Sequence, residues 1–198
     1  MTDATALLQV NNASPPAPNH ARAEVAVYDG GTAPLFSDLI DRWGDEIYRF
    51  TWHLTGNPTD ADDLYQETLL KAFRAYRKLP ADANHRAWLY RIASNTFISD
   101  RRKHGRTNPM SEALEQTLPA PGVDQARMLD ARDLLREVEA FVAVLPPKQR
   151  VALVLRKYHG HDYAHIAMTL KCSEDAARAN VHEALRKVRT QFAHRMEA

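Results

Sequence analysis

Beyond residue 34, apolar residues recur at three- and four-residue steps, and no stretch alternates apolar with polar residues between hairpin turns. That period is the helical one, so the fold class is all-α. Phe36, Leu39, Ile40, Trp43, Ile47, Phe50 and Leu54 form a first apolar stripe, which Gly56-Asn57-Pro58 stops. Thr59 then fits an N-cap, with Asp62 in the capping-box position and Asp60 and Asp63 complementing the helix dipole. The helix from Asp60 to about Arg77 is expected to bury Leu64, Thr68, Leu69, Ala72 and Ala75. Its other side carries Asp63, Gln66, Glu67, Leu70 and Arg74, and a leucine among exposed polar groups points to a partner surface.

A loop near Pro80 to His85 leads into the segment from Asn84 to Lys103. Pro109, Pro119, Pro121 and Gly122 then mark residues 107–125 as a flexible linker and the domain boundary. A second module, 126–198, opens with a helix near Gln125–Val144, with Leu134, Leu135, Val138, Phe141 and Val142 on its apolar side. Pro146-Pro147 breaks it, and Pro147 suits the first turn of a helix carrying Val151, Val154, Leu155 and Tyr158. His159-Gly160-His161 reads as a turn. Asp162 caps a short helix over Tyr163–Leu170, and Ser173 caps a last one reaching about Met196. Residues 1–34, with Ser14-Pro15-Pro16-Ala17-Pro18 and Gly30-Gly31, read as a disordered leader, and residues 35–106 as the first module.

The net charge of +1 hides blocks of opposite sign. Eight acids face two bases between Phe36 and Leu70, and ten bases face two acids from Lys71 to Arg106. Acids lead seven to three from Thr107 to Pro147, and bases lead ten to five from Lys148 onward. Two acid-then-basic blocks point to two modules, each with a basic surface.

In the segment 84–103, Leu89, Ile92, Ala93 and Thr96 gather on one side of a helix, while Arg91, Asn95 and Arg102 fall within about 40° of each other opposite them. Trp88, Tyr90 and Phe97 flank that stripe, and Arg101, Arg102, Lys103 and Arg106 close the segment. Arginine and lysine neutralise phosphate, asparagine reads a base edge, and aromatic rings stack on unpaired bases. The bland alternative is an amphipathic helix with a solvated basic face. At the other end, two helices joined by Lys171-Cys172-Ser173 match a helix-turn-helix. Ala177, Val181, Ala184, Leu185, Val188 and Phe192 share an arc of about 100°, and Arg178, His182, Arg186 and Arg189 an opposite arc of about 80°. Lys171 stands where such a turn often has glycine. The bland alternative is again a helical hairpin with a charged face.

Catalysis finds no footing: there is no phosphate-cradling glycine loop, nucleophile elbow or paired carboxylate set in an apolar run. No cofactor is expected. His159, His161 and His165 are the one metal-like cluster, but no convincing further ligand completes it, and they read as solvated turn histidines. The single cysteine, Cys172, excludes an intrachain disulfide, fits a reducing cytoplasm, and reads as turn packing. No apolar run is long enough to span a bilayer, and no signal pattern is expected at the N-terminus.

Three motifs in order resemble the bacterial sigma-70 factors. Asp63-Leu64-Tyr65-Gln66-Glu67-Thr68-Leu69-Leu70-Lys71-Ala72-Phe73 is similar to their helix that docks on the clamp of the largest subunit of RNA polymerase. Arg86-Ala87-Trp88-Leu89-Tyr90-Arg91-Ile92-Ala93-Ser94-Asn95 with Asp100-Arg101-Arg102 resembles their −10 melting and recognition helix. Leu145-Pro146-Pro147-Lys148-Gln149-Arg150 and the 162–189 pair resemble their −35-reading domain. Two such domains and a short linker resemble the extracytoplasmic-function (ECF) group, with a region 2-like bundle and a region 4-like helix-turn-helix domain.

The resemblance implies a non-enzymatic, dissociable polymerase subunit that docks through Asp63, Gln66, Glu67 and Leu70. It implies −10 contacts by Arg86, Arg91, Asn95, Arg101 and Arg102, with Trp88 in the core rather than wedged between bases. It implies −35 contacts by Arg178, His182, Arg186 and Arg189. Core polymerase, promoter DNA and an anti-sigma factor are the partners it implies, in the cytoplasm. The family often has basic residues where Asn180 and Glu183 stand, so the −35 face departs from its pattern. Nineteen linker residues (107–125) reach at most about 63–68 Å; two elements two duplex turns apart lie about 70 Å from each other, and the width of the domains supplies the rest. A stand-alone helix-turn-helix regulator is the rival, but it leaves the Asp63–Leu70 face without a task.

Overall fold

The computed structural model describes residues 35–80, 82–104 and 123–196, and these hold seven helices and no strand. The helices are α1 (Phe36–Thr55), α2 (Pro58–Tyr76), α3 (His85–His104), α4 (Val123–Ala143), α5 (Pro147–Lys157), α6 (Tyr163–Leu170) and α7 (Glu174–Met196). The expected leader, and most of the expected linker with Arg106, lie outside the described residues.

The Asp38 carboxylate accepts the Leu35 N–H at 2.9 Å and so closes the first turn of α1. Gly56, at φ 79°, ends that helix, and its N–H donates to Trp52 O at 2.8 Å. The expected cap on α2 is corrected: the helix starts at Pro58, and Asn57, not Thr59, accepts the Asp60 N–H at 2.8 Å. Proline at the first helical position has no N–H to satisfy, and this makes the asparagine just before it the cap. Leu64, Thr68 and Ala72 are buried as expected, whereas Leu69 is half-buried and Ala75 exposed. Asn84 caps α3 by accepting the Ala87 N–H. Helix α4 takes in Val123 to Gln125, so the second module begins inside the stretch assigned to the linker.

In the C-terminal module, Pro147 sits in the first turn of α5, and Val151 to Leu155 are all fully buried. The Asp162 carboxylate caps α6 by accepting the His165 N–H at 2.8 Å, and the Ser173 hydroxyl accepts the Ala176 N–H at 3.2 Å. Lys171 stands between them at φ 50° and ψ 55°, the left-handed turn that its position in the sequence requires.

The two modules pack against each other: α1 lies on α5, and α3 lies on both α5 and α6. One apolar core runs from Leu39, Phe50, Tyr90 and Phe97 into Val151, Leu155, Ile166 and Val181. A second, smaller cluster joins Val138, Val142, Leu153, Val188 and Phe192 beneath α4. Arg150 is buried at the junction, donating to Ala143 O at 2.8 Å and lying 5.6 Å from the centre of the Phe97 ring. Burial, helped by Arg101, pushes its guanidinium down to about 9.

The turn histidines are a correction too. His161 is buried against the Tyr90 ring at 4.7 Å, and His159 lies between His53 and Tyr90 at 3.3 and 2.9 Å. Reading the turn without a partner module made these imidazoles look solvated. His165 is half-exposed and pairs with Asp162 at 2.7 Å.

Candidate nucleic-acid interface

Helix α3 owes its position to Leu89, Tyr90 and Ala93, all fully buried. Trp88 is in the core as expected. Tyr90 and Phe97 are buried as well, so base stacking by these rings is corrected to packing. A helix gripped by a bundle on one side and a second module on another has no face left for three exposed rings.

What remains outside is a polar ridge. Asn95 and Arg102 are exposed, with Lys103 beside them, and Arg91 is half-buried. Arg101 is half-buried too, its guanidinium 5.5 Å from the centre of the Phe97 ring. Arg86 points elsewhere: its Nε lies 3.0 Å from both oxygens of Glu46, with Nη2 closing a tight ion pair. Hydrogen bonds from Arg86 and Tyr90 outweigh burial and hold the Glu46 carboxyl below its ordinary range.

On α2, Asp63, Gln66 and Leu70 are exposed and lie together, with Glu67 half-buried beside them. Leu70 is 50% exposed, and Phe73, which the sequence reading passed over, is 61% exposed. Its position three residues after Leu70 was the available signal. Lys71 was also passed over: its Nζ bonds Glu67 at 3.1 Å and donates to Thr96 Oγ1 at 3.2 Å, tying this face to α3.

Helix α7 rests on Ala177, Val181, Ala184 and Val188, and exposes Arg178, His182, Arg186 and Arg189 together. Arg178 meets Glu174 at 3.2 Å and covers the Tyr163 ring at 4.6 Å. Arg186 meets Glu183 at 2.8 Å, a hydrogen-bonded pairing that holds the Glu183 carboxyl below its usual range. The Asn180 amide bonds back to Ala176 O at 2.7 Å. Lys187 donates to Gln149 at 3.0 Å and braces α7 on α5. Among the described residues no group of three or more His, Cys, Asp or Glu side chains is placed to hold a metal, and no helix is long and apolar enough to cross a membrane.

Such a bundle with an acidic face, followed by a helix-turn-helix with a basic one, defines a class. Sigma-70 region 2 matches residues 39–107, and Sigma-70 region 4 matches residues 135–188. The ECF RNA polymerase sigma factor SigE of Mycolicibacterium smegmatis is 30% identical over 171 residues, which are 85% of this chain and 65% of that protein. The RNA polymerase sigma-H factor of Pseudomonas aeruginosa is 30% identical over 162 residues, 78% of this chain and 84% of its own. The chain thus spans less than two thirds of the length of SigE. Among solved structures, the sigma factor RpoE in complex with the anti-sigma factor NepR from Bartonella quintana shares the fold, with a TM-score of 0.61 and 22% identity over 80% of this chain and 96% of that one. The chain belongs to the sigma-70 family, in its ECF group.

Proposed function

We propose that this chain is a dissociable initiation subunit that acts by binding, not by bond-making. The observation that carries this is the order of the two matched regions, each with its basic ridge exposed, and the acidic face of α2 ahead of the first ridge in sequence. Asp63, Gln66, Glu67 and Leu70 dock core RNA polymerase. Arg91, Asn95, Arg101 and Arg102 meet the −10 element, joined by Arg86 once it leaves Glu46. Arg178, His182, Arg186 and Arg189 meet the −35 element. Residues 35–106 and the segment from Val123 onward are the working modules. The site of action is the cytoplasm, where polymerase and promoter are. An anti-sigma partner is part of the proposal, since the RpoE and CnrH structures are each complexes, with NepR and with the cytosolic domain of CnrY.

The packed arrangement sets a condition on this activity. Helix α6 touches both α3 and α7, which keeps the two reading helices within about 16–20 Å, two packing distances, of each other. Two promoter elements two duplex turns apart are separated by about 70 Å. The junction between the modules must part before one chain can hold both elements.

Run-off transcription at pH 7.5 with purified core polymerase and genomic fragments tests the proposal. A discrete start site that depends on this chain is the expected result. A footprint by the chain alone, with no transcript from the mixture, would overturn it in favour of a stand-alone regulator.

A further inference from the structure

At the turn between α5 and α6, polar side chains of the two modules bond directly in a chain. Arg86 grips Glu46, the Tyr90 hydroxyl lies 2.8 Å from Glu46 and 2.9 Å from His159 Nδ1, and His159 Nε2 lies 3.3 Å from His53 Nδ1. Tyrosine has one hydrogen, and an ionised carboxylate only accepts. Tyr90 therefore donates to Glu46 and accepts from His159 Nδ1–H, while His159 Nε2 accepts from His53 Nδ1–H. Every donor along this line has an acceptor while both imidazoles are neutral.

We propose that the His159 turn is a latch holding the two modules closed, and that proton uptake by the His53–His159 pair releases it. This rests on the condition above, that the modules part in order to act. Glu46 and Arg49 on α1, Arg86 and Tyr90 on α3, Tyr158 at the end of α5, and His161, Asp162 and His165 past the turn are the ionisable groups around the pair. Arg49 disfavours a further positive charge on either ring, and Glu46 favours one on His159. One added proton can be shared between the rings but leaves that charge enclosed; a second sets two N–H groups face to face. Burial first, then neighbouring positive groups, lowers His53 to about 4 and His159 to about 3.

Parting the modules restores both imidazoles to about 6.5, so the open form binds more protons. The contribution of the latch to closure is full above that value and is lost as the pH falls from there toward the closed-state values. At pH 5.5 each imidazole shifts the equilibrium roughly tenfold toward opening, and the pair roughly a hundredfold.

Small-angle scattering of the whole chain between pH 7.5 and 5.5, with far-ultraviolet circular dichroism alongside, tests this. The expected result is an acid-induced rise in radius of gyration at unchanged helicity. His159→Gln keeps one donor and one acceptor without titrating, and it should reduce the acid response; His53→Gln makes the same test from the other module if the first variant fails to fold. A wild-type chain that stays compact at pH 5.5, or two folded variants that expand as the wild type does, would overturn the latch. Run-off transcription at pH 7.5 reads the sigma function separately, so the two proposals fail independently.

Discussion

Helices α3 and α7 carry similar basic stripes but are held differently. Helix α3 packs on α1 and α2 within its own module and on α5 and α6 of the other, whereas α7 packs chiefly against helices of its own module, α4, α5 and α6. The polar groups of α3 are consequently drawn inward: Arg86 to Glu46, Tyr90 to Glu46 and His159, and Thr96 to Lys71. Those of α7 stay on the surface, and where they are neutralised it is by acids of the same helix, Glu174 and Glu183. One helix serves as a keel and gives up part of its reading face; the other keeps that face whole.

The contrast breaks first at the aromatic anchors. Phe97→Ala should lower the unfolding free energy by about 3–5 kcal/mol in denaturant melts. Hydrogen exchange should rise in both modules, because Arg150 of the second rests on that ring. Phe192→Ala on α7 removes comparable volume, but its exchange should rise only around Val138, Val142 and Phe141. Equal spread of exchange from the two variants would erase the distinction.

Tyr90→Phe keeps the ring against Phe50 at 4.8 Å but takes one donor from Glu46 and the acceptor from His159 Nδ1. A loss of about 1–3 kcal/mol in thermal or chemical unfolding is expected. Lys171→Gly should raise stability by about 1 kcal/mol, the relief of a left-handed lysine less the added freedom of glycine in the unfolded chain. Glu183→Gln should leave the melting temperature unchanged. It should strengthen binding of −35 duplex several-fold at low salt, with the gain fading as salt rises.

Local chemistry was legible in the sequence wherever it needed no distant partner. Helical periods, the Asp162 and Ser173 caps, the strained Lys171 turn and the buried arc of α7 all follow from residues within one or two turns of each other. The Asn57 cap was missed because Thr59 offered an equally good hydroxyl, and only the start at Pro58 decides between them. The exposed ridge at Asn95 and Arg102 followed from the helical period, yet the fates of Tyr90 and Arg86 depended on Glu46 and His159, 44 and 69 residues from Tyr90. The solvated reading of the turn histidines failed for the same reason. Periodicity says which side a residue is on, not what will come to lie against that side.

The shared core also sets an order of assembly. The bond between His53 and His159 spans 106 positions, and one end is synthesised well before the other. At translation rates of 5–20 residues per second, the interval between completing α3 and completing α6 is roughly 3–13 s. Through that interval the nascent first module has its own helices but lacks Val151, Leu155 and Ile166, which cover Phe50, Tyr90 and Phe97 in the finished chain. A sticky half-core waits for its lid, and until α5 and α6 arrive it is open to chaperones and to self-association.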